Sequence, residues 1–150
     1  MTRHVLVLIL VSAGACTDTI YYVTSTSPVP YAVPDTCVQA SAAGFHEVPD
    51  DSITVRRLPD PLWPTLRDAD SVIHISFGST WWPRFWVAQT YVSEPRIDLE
   101  VGIYLSFASK PSDARVDSAT AKVAAIAEAI AVRCFAADDR PSRFRTTRSW

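Results

Sequence analysis

The residues with side chains suited to acid–base chemistry are few in this chain. Asp98 and Glu100 stand two positions apart, and two carboxylates on one strand face are what a general acid and a general base require. The same spacing is typical of a solvated strand face, and we favour that interpretation because both residues alternate with apolar neighbours. His74 alternates with apolar residues in the same way, which predicts a solvent-facing histidine.

The sequence lacks the motifs of well-known catalytic and metal sites. It contains no GxSxG nucleophile elbow, no HExxH pair and no glycine-rich phosphate loop, and only 4 of its 150 residues are glycine. No CxxC pair or Cys/His cluster has the spacing of a metal site. A net charge of −2 argues against nucleic acid as a partner. We therefore predict a protein that is not an enzyme and holds no cofactor or metal.

The N-terminal residues form a short apolar run that ends in a cysteine. Arg3 precedes seven apolar residues at 5–11, whereas a membrane-spanning helix needs about 20. Such a run is typical of a secretory signal. The small residues Ala-Gly-Ala at 13–15 then lead directly into Cys16. This run resembles the lipobox of bacterial lipoproteins, in which small residues precede the cysteine that is lipidated before the signal peptide is cleaved.

The resemblance implies that residues 1–15 are a signal peptide and that Cys16 is the lipidated residue, with palmitate as one of its acyl chains. Two acyl chains anchor a protein stably to a membrane without a spanning helix. The expected location is therefore the cell envelope, with the domain facing the periplasm. The sequence leaves the choice between inner and outer membrane open.

Two cysteines remain once Cys16 is assigned to the lipid. Disulfides persist in the oxidising periplasm, and an even number of cysteines in an exported protein indicates bridging. We predict a disulfide between Cys37 and Cys134, with two unpaired buried thiols as the alternative.

Apolar alternation and helical spacing predict one α+β domain. Residues 35–43 form a short helix, and residues 112–134 form a longer one with an apolar stripe that ends at Cys134. The intervening strands are predicted at 53–55, 72–77, 85–92 and 96–107. The expected architecture is a helix, three to four antiparallel strands and a C-terminal helix, with both helices packed on one face of the sheet.

The segments on either side of this domain, which covers residues 35–135, are predicted to lack regular structure. Residues 16–34 comprise the lipidated N-terminus and a flexible tether rich in Ser, Thr and Pro. At ~3.1 Å per residue, an extended tether holds the domain up to roughly 55 Å from the bilayer. Residues 136–150 contain four arginines and few apolar residues, which predicts a basic disordered tail.

Aromatic residues are concentrated between the second and third predicted strands, from the end of 72–77 to the start of 85–92. Tryptophan and arginine dominate binding hot spots, and exposed rings suit a sugar, a peptide groove or a protein surface. The candidate binding residues are Trp81, Trp82, Arg84 and Trp86. Two alternatives stay open: these side chains close one end of the core, or the loop dips into a membrane.

These observations together predict a lipid-anchored protein of the bacterial cell envelope. Its small non-catalytic domain is expected to bind a cell-wall or protein partner. One alternative is a periplasmic inhibitor or immunity protein that acts against a wall hydrolase. Another is an accessory subunit of a larger envelope complex.

Overall fold

The computed structural model describes residues 20–45, 53–58, 72–79, 82–93, 96–107 and 109–150. Within these residues, six strands and two α-helices follow one another in the order βαββββαβ. Short 3₁₀ turns at Ala43–Phe45 and Ala137–Asp139 follow the two helices. The elements are β1 (Ile20–Val29), α1 (Asp35–Ala42), β2 (Ile53–Leu58), β3 (Val72–Ser79), β4 (Trp82–Ser93), β5 (Arg96–Phe107), α2 (Asp113–Cys134) and β6 (Arg145–Arg148).

The strands form one antiparallel sheet in the order β2-β3-β4-β5-β1-β6. Strands β2 to β5 are consecutive in the chain and pair as a meander. β1 pairs along its whole length with β5, from Ile20 opposite Phe107 to Val29 opposite Ile97. β6 pairs with the other side of β1, so strands from opposite parts of the sequence meet in the same half of the sheet.

The hydrophobic core lies between the sheet and the helices. The apolar residues of β5 that alternate from Ile97 to Leu105 are all buried, and β5 begins and ends where its alternation predicts. α2 packs on β5 and β1, and α1 packs on α2. The predicted α+β class with both helices on one face is confirmed. The buried stripe of α2 includes Val116, Val123, Ile126, Ala127 and Ile130.

Both helices begin within one residue of their predicted starts, but their N-termini are capped differently. Ser112 caps α2, and its hydroxyl accepts a hydrogen bond from the Arg115 amide at 3.4 Å. At α1 the cap is Pro34, and no side chain contributes a hydrogen bond. The Pro34 carbonyl instead accepts from the amides of Cys37 and Val38, at 2.9 and 3.2 Å.

The predicted disulfide joins the two helices. Cys37 on α1 and Cys134 at the end of α2 are bonded, with 5.9 Å between their Cα atoms and 97 positions between them in sequence. The Ser41 hydroxyl donates to the Cys37 carbonyl at 2.8 Å and lies 3.4 Å from the Cys134 sulfur. The Arg133 guanidinium adds a hydrogen bond to the Ala40 carbonyl at 3.1 Å. The predicted disulfide is therefore confirmed, and the alternative of two unpaired thiols is excluded.

The prediction that residues 16–34 form a flexible tether is wrong for most of that segment, because residues 20–29 are strand β1. The strand pattern is obscured because two core-facing positions, Ser25 and Ser27, carry serine and are nevertheless buried. Pro28 also argues against a strand, but β6 pairs only with residues 23–26, so β1 has a single neighbour at Pro28. Proline is tolerated at such an edge position.

The prediction of a disordered tail at 136–150 is wrong as well. Strand β6 pairs with β1, and the side chains of Thr24 and Thr147 share a hydrogen bond of 2.7 Å. The Ser27 hydroxyl donates to the Arg143 carbonyl at 2.8 Å. These hydrogen bonds add to the apolar contact that Phe144 makes with the core. The expected architecture consequently gains a first and a last strand, and it begins with a strand in place of a helix.

Candidate functional site

The sheet has one face covered by helices and one face that no helix in the described part of the chain covers, here called the open face. Strand register defines this face, because residues paired across antiparallel strands point to the same side. β1 and β6 contribute mainly hydroxyl and basic side chains to it, and β4 and β5 contribute aromatic and acidic ones. Its residues include Tyr22, Thr24, Thr26, Trp86, Ala88, Glu100, Gly102, Tyr104, Arg145 and Thr147.

A tryptophan ring packed flat on the sheet is the central feature of the open face. Trp86 on β4 is paired with Gly102 on β5. A Cβ atom at Gly102 would lie 2.0 Å from Cζ2 of the Trp86 ring, so the ring occupies the space where any other side chain would begin. A glycine inside a strand typically marks such a close approach. Gly102 therefore leaves the space that the Trp86 ring fills.

Two tyrosines complete an aromatic cluster around this ring. The Tyr104 and Trp86 ring centroids are 4.4 Å apart with the rings tilted by 37°. Tyr22 meets Trp86 edge-on, at 5.9 Å and 72°. Both geometries are favourable arrangements for aromatic pairs. Tyr22, Trp86 and Tyr104 thus form one unit across β1, β5 and β4, here called the aromatic cluster.

A carboxylate lies beside the aromatic cluster and is bound to it. The Trp86 Nε1–H donates a hydrogen bond to Glu100 Oε1 at 3.0 Å. Glu100 is half-buried, so the interpretation of this residue as part of a merely solvated strand face is incomplete. Burial raises the pKa of Tyr104 above its ordinary value of 10.0, and the charges of Glu100 and Tyr22 raise that pKa further. Tyr104 is consequently a neutral hydroxyl at physiological pH.

The arrangement offers recognition chemistry. Apolar ring surface stands next to a carboxylate, a neutral phenol and the Thr24–Thr147 hydroxyl pair. Arg145 is exposed on the same face, opposite Thr26. Such a mixture of rings with hydrogen-bonding groups is typical of surfaces that bind sugars or peptides.

The predicted binding residues differ in burial and in whether the structure describes them. Trp86 is only 6% exposed, so the prediction that it is an exposed hot-spot residue is wrong. The neighbouring Phe85 points to the core, where it stacks on Phe77 with 4.4 Å between ring centroids. Trp82 and Arg84 lie in β4, with Trp82 paired to Ser79, and their side chains are outside the described part of the structure. Trp81 and the predicted lipidation residue Cys16 lie outside the described residues.

Sequence reasoning missed Tyr22, Tyr104 and Gly102 as members of the site. Tyr22 was assigned to the tether, and Tyr104 and Gly102 were assigned to the polar face of a strand. One signal was available: Gly102 interrupts the middle of the strongest strand pattern in the chain, a position where glycine costs stability unless something packs against it.

Comparison with known proteins adds no assignment to this site. No family model matches the chain, and no significant similarity to a curated protein or a solved structure is found. Among the described residues, no group of three or more His, Cys, Asp and Glu side chains could hold a metal ion. No helix in the same part of the chain is long and apolar enough to cross a membrane.

Proposed function

We propose that this protein is a lipid-anchored component of the bacterial cell envelope, with Cys16 as the acylated residue. The domain faces the periplasm, performs no catalysis, and binds a cell-wall or protein partner. The observation that carries the proposal is the Cys37–Cys134 disulfide, because such bridges persist in oxidising compartments outside the cytoplasm. The lipobox-like residues at 13–16 supply the anchor.

The open face is the surface we assign to partner binding. Its aromatic cluster is held rigidly by Gly102 and Glu100, so little side-chain freedom is lost when a partner docks beside it. Thr26, Arg145 and Thr147 surround the cluster with partly or fully exposed polar side chains. Preorganised rings with a polar rim are typical of binding surfaces.

Acylation is tested by labelling the full chain with an alkyne analogue of palmitate in a bacterial host. The wild-type protein is expected to take up the label, and the Cys16→Ser variant is expected to lose it. A double variant, Cys37→Ala with Cys134→Ala, is the matched control. It should stay labelled, because the two cysteines that it removes form the disulfide and Cys16 is kept. Labelling that survives Cys16→Ser, or no labelling of the wild type, contradicts the proposal.

Partner binding is tested by capture from envelope extracts, with peptidoglycan and associated proteins both analysed. Arg145→Glu reverses an exposed charge on the open face, and Arg115→Glu makes the same change on α2. Capture that is lost only in Arg145→Glu assigns binding to the open face, and equal capture by both variants contradicts it. A single stoichiometric protein partner whose wall-hydrolase activity is blocked indicates an inhibitor, and one without such activity indicates an accessory role.

A further inference from the structure

The distance between the proposed anchor and the folded domain is short. β1 begins at Ile20, so only residues 17–19 separate it from Cys16. Four residue steps span at most about 14 Å when the chain is fully extended. An acyl chain on Cys16 therefore brings the first residue of β1 close to the lipid headgroups, far nearer than the roughly 55 Å reach of an eighteen-residue tether.

The end of the sheet where β1 begins is apolar and aromatic. Ile20 and Trp150 are each 42% exposed. Tyr21 and Trp150 are in ring contact, with centroids 5.8 Å apart. We call the surface formed by Ile20, Tyr21 and Trp150 the near end. Tryptophan and tyrosine are the side chains enriched at membrane–water interfaces.

Hydrogen bonds fix Trp150 beside the start of β1. The Ser149 hydroxyl donates to the Ile20 carbonyl at 3.0 Å and accepts from the Tyr22 amide at 2.9 Å. The Ser149 amide donates to the Tyr22 carbonyl at 3.2 Å. The three side chains of the near end are therefore held together before any contact with a membrane.

Charged residues of both signs surround the near end and nearly balance one another. Arg148 on β6 lies 4.0 Å from Asp117 on α2, and both are well exposed. Lys110 follows the end of β5, and Asp113 opens α2. With Arg115 in the first turn of α2 included, the described residues of this region carry three cations and two anions, so electrostatic attraction to anionic lipids is small.

We infer that the near end rests on the lipid surface, with Ile20, Tyr21 and Trp150 at headgroup depth and the sheet standing upright on the membrane. This inference depends on the proposed acylation of Cys16, which supplies the attachment point. The contact is apolar and aromatic, so it forms equally well on zwitterionic and anionic bilayers. The C-terminal end of α2, which carries the disulfide, lies farther from the membrane than its N-terminal end by the length of the helix.

The test places one fluorescent probe at each end of the acylated full-length protein in phosphatidylcholine vesicles. Ser109→Cys puts the only free thiol two residues beyond β5, and Val132→Cys puts it near the disulfide end of α2. Both positions are exposed, and the 19 residue steps along α2 from Asp113 to Val132 extend about 28 Å. An environment-sensitive dye is attached, and quenching by a spin-labelled lipid headgroup is measured. Flotation of the vesicles reports the lipid anchor separately.

We expect the dye at position 109 to be quenched at least threefold more than the dye at position 132. Replacing the phosphatidylcholine with a mixture containing phosphatidylglycerol should leave this ratio unchanged. In the Ser109→Cys background, Trp150→Ser should lower the quenching, since it removes an aromatic contact without touching the anchor. A floating protein whose two dyes are quenched equally overturns the inference but leaves the proposed function standing. A protein that fails to float overturns both.

Discussion

The side-chain amide of Gln89 on β4 binds both backbone groups of Val33, the residue that leads into α1. The Val33 amide donates to Gln89 Oε1 at 2.7 Å, and Gln89 Nε2 donates to the Val33 carbonyl at 2.8 Å. Gln89 is 1% exposed and Val33 is 2% exposed. The Gln89 side chain thus makes the two hydrogen bonds that a neighbouring strand would otherwise make with Val33. It attaches the start of α1 to the sheet.

Gln89→Leu is expected to lower the free energy of unfolding by about 2–4 kcal/mol. Leucine has a similar volume, so the loss reports the two hydrogen bonds and the buried Val33 groups left without partners. Urea denaturation provides the measurement. Gln39→Leu on the half-buried side of α1 is the matched control and should change stability by less than about 0.5 kcal/mol. Equal effects of the two substitutions would show that the amide contacts contribute nothing.

Gly102→Ala is expected to destabilise the fold by roughly 1–3 kcal/mol, because the new methyl group displaces the Trp86 ring. The ring shift should also change the tryptophan fluorescence spectrum. Gly44→Ala is the matched control: nothing lies within 4 Å of its added Cβ, so it should be neutral or slightly stabilising. In a Trp86→Leu background, Gly102→Ala should lower the free energy of unfolding by less. An equal loss in both backgrounds would show that the two residues do not interact.

Tyr104 should make stability fall with rising pH in the alkaline range. Its folded-state pKa is raised above 10.0, so the folded protein holds the phenol proton more tightly than the unfolded chain does. This contribution is fully present below pH 10 and is lost as pH rises from the unfolded pKa through the folded one. Thermal unfolding between pH 8 and 11 should therefore show a steeper loss for wild type than for Tyr104→Phe.

Glu100→Gln distinguishes the causes of this raised pKa. Burial is the largest cause and Glu100 the second, so the substitution should lower the pKa of Tyr104 without returning it to 10.0. The glutamine oxygen can still accept the hydrogen bond from Trp86, so the aromatic cluster stays intact. Absorbance titrations are recorded for Glu100→Gln and for the double variant Glu100→Gln with Tyr104→Phe. The difference between the two curves reports the Tyr104 phenol alone. An unchanged pKa would show that the Glu100 charge does not act on Tyr104.

Removal of the disulfide by Cys37→Ala with Cys134→Ala should lower stability by about 4–5 kcal/mol, since the bridge closes a loop of nearly one hundred residues in the unfolded chain. Denaturation of the double variant against the oxidised wild type measures the loss. Alkylation of the folded wild type should modify neither residue. A variant as stable as wild type would mean that the unfolded chain is already compact enough to remove this entropy difference.

The sequence predicts best those elements whose pattern is continuous. β5 alternates without interruption, and its predicted bounds, 96–107, are the observed ones. α2 has both a capping serine and an apolar stripe, and the disulfide followed from the phase of that stripe. Local signals of this kind are strong because they need no information about the partner strand.

The two strands that were missed derive their stability from each other and from β5. β1 presents Ser25 and Ser27 to the core, and all four residues of β6 are exposed. Neither strand therefore shows the alternation of a half-buried strand. The aromatic cluster was missed for the same reason, since Tyr22 and Trp86 come together only after β1 pairs with β5. Contacts between distant segments leave no periodic trace in either segment alone.

The position of β1 has a consequence for how fast the fold forms. The meander from β2 to β5 needs only hairpin contacts, which close quickly because they join neighbouring residues. β1, in contrast, is hydrogen-bonded to residues as far as 129 positions away, and such long loops carry the largest closure entropy. Since folding rates fall as contacts become less local, the pairing of β1 with β5 and β6 is the step expected to limit folding. β1 is synthesised before β5 and β6, and it is expected to pair with them last.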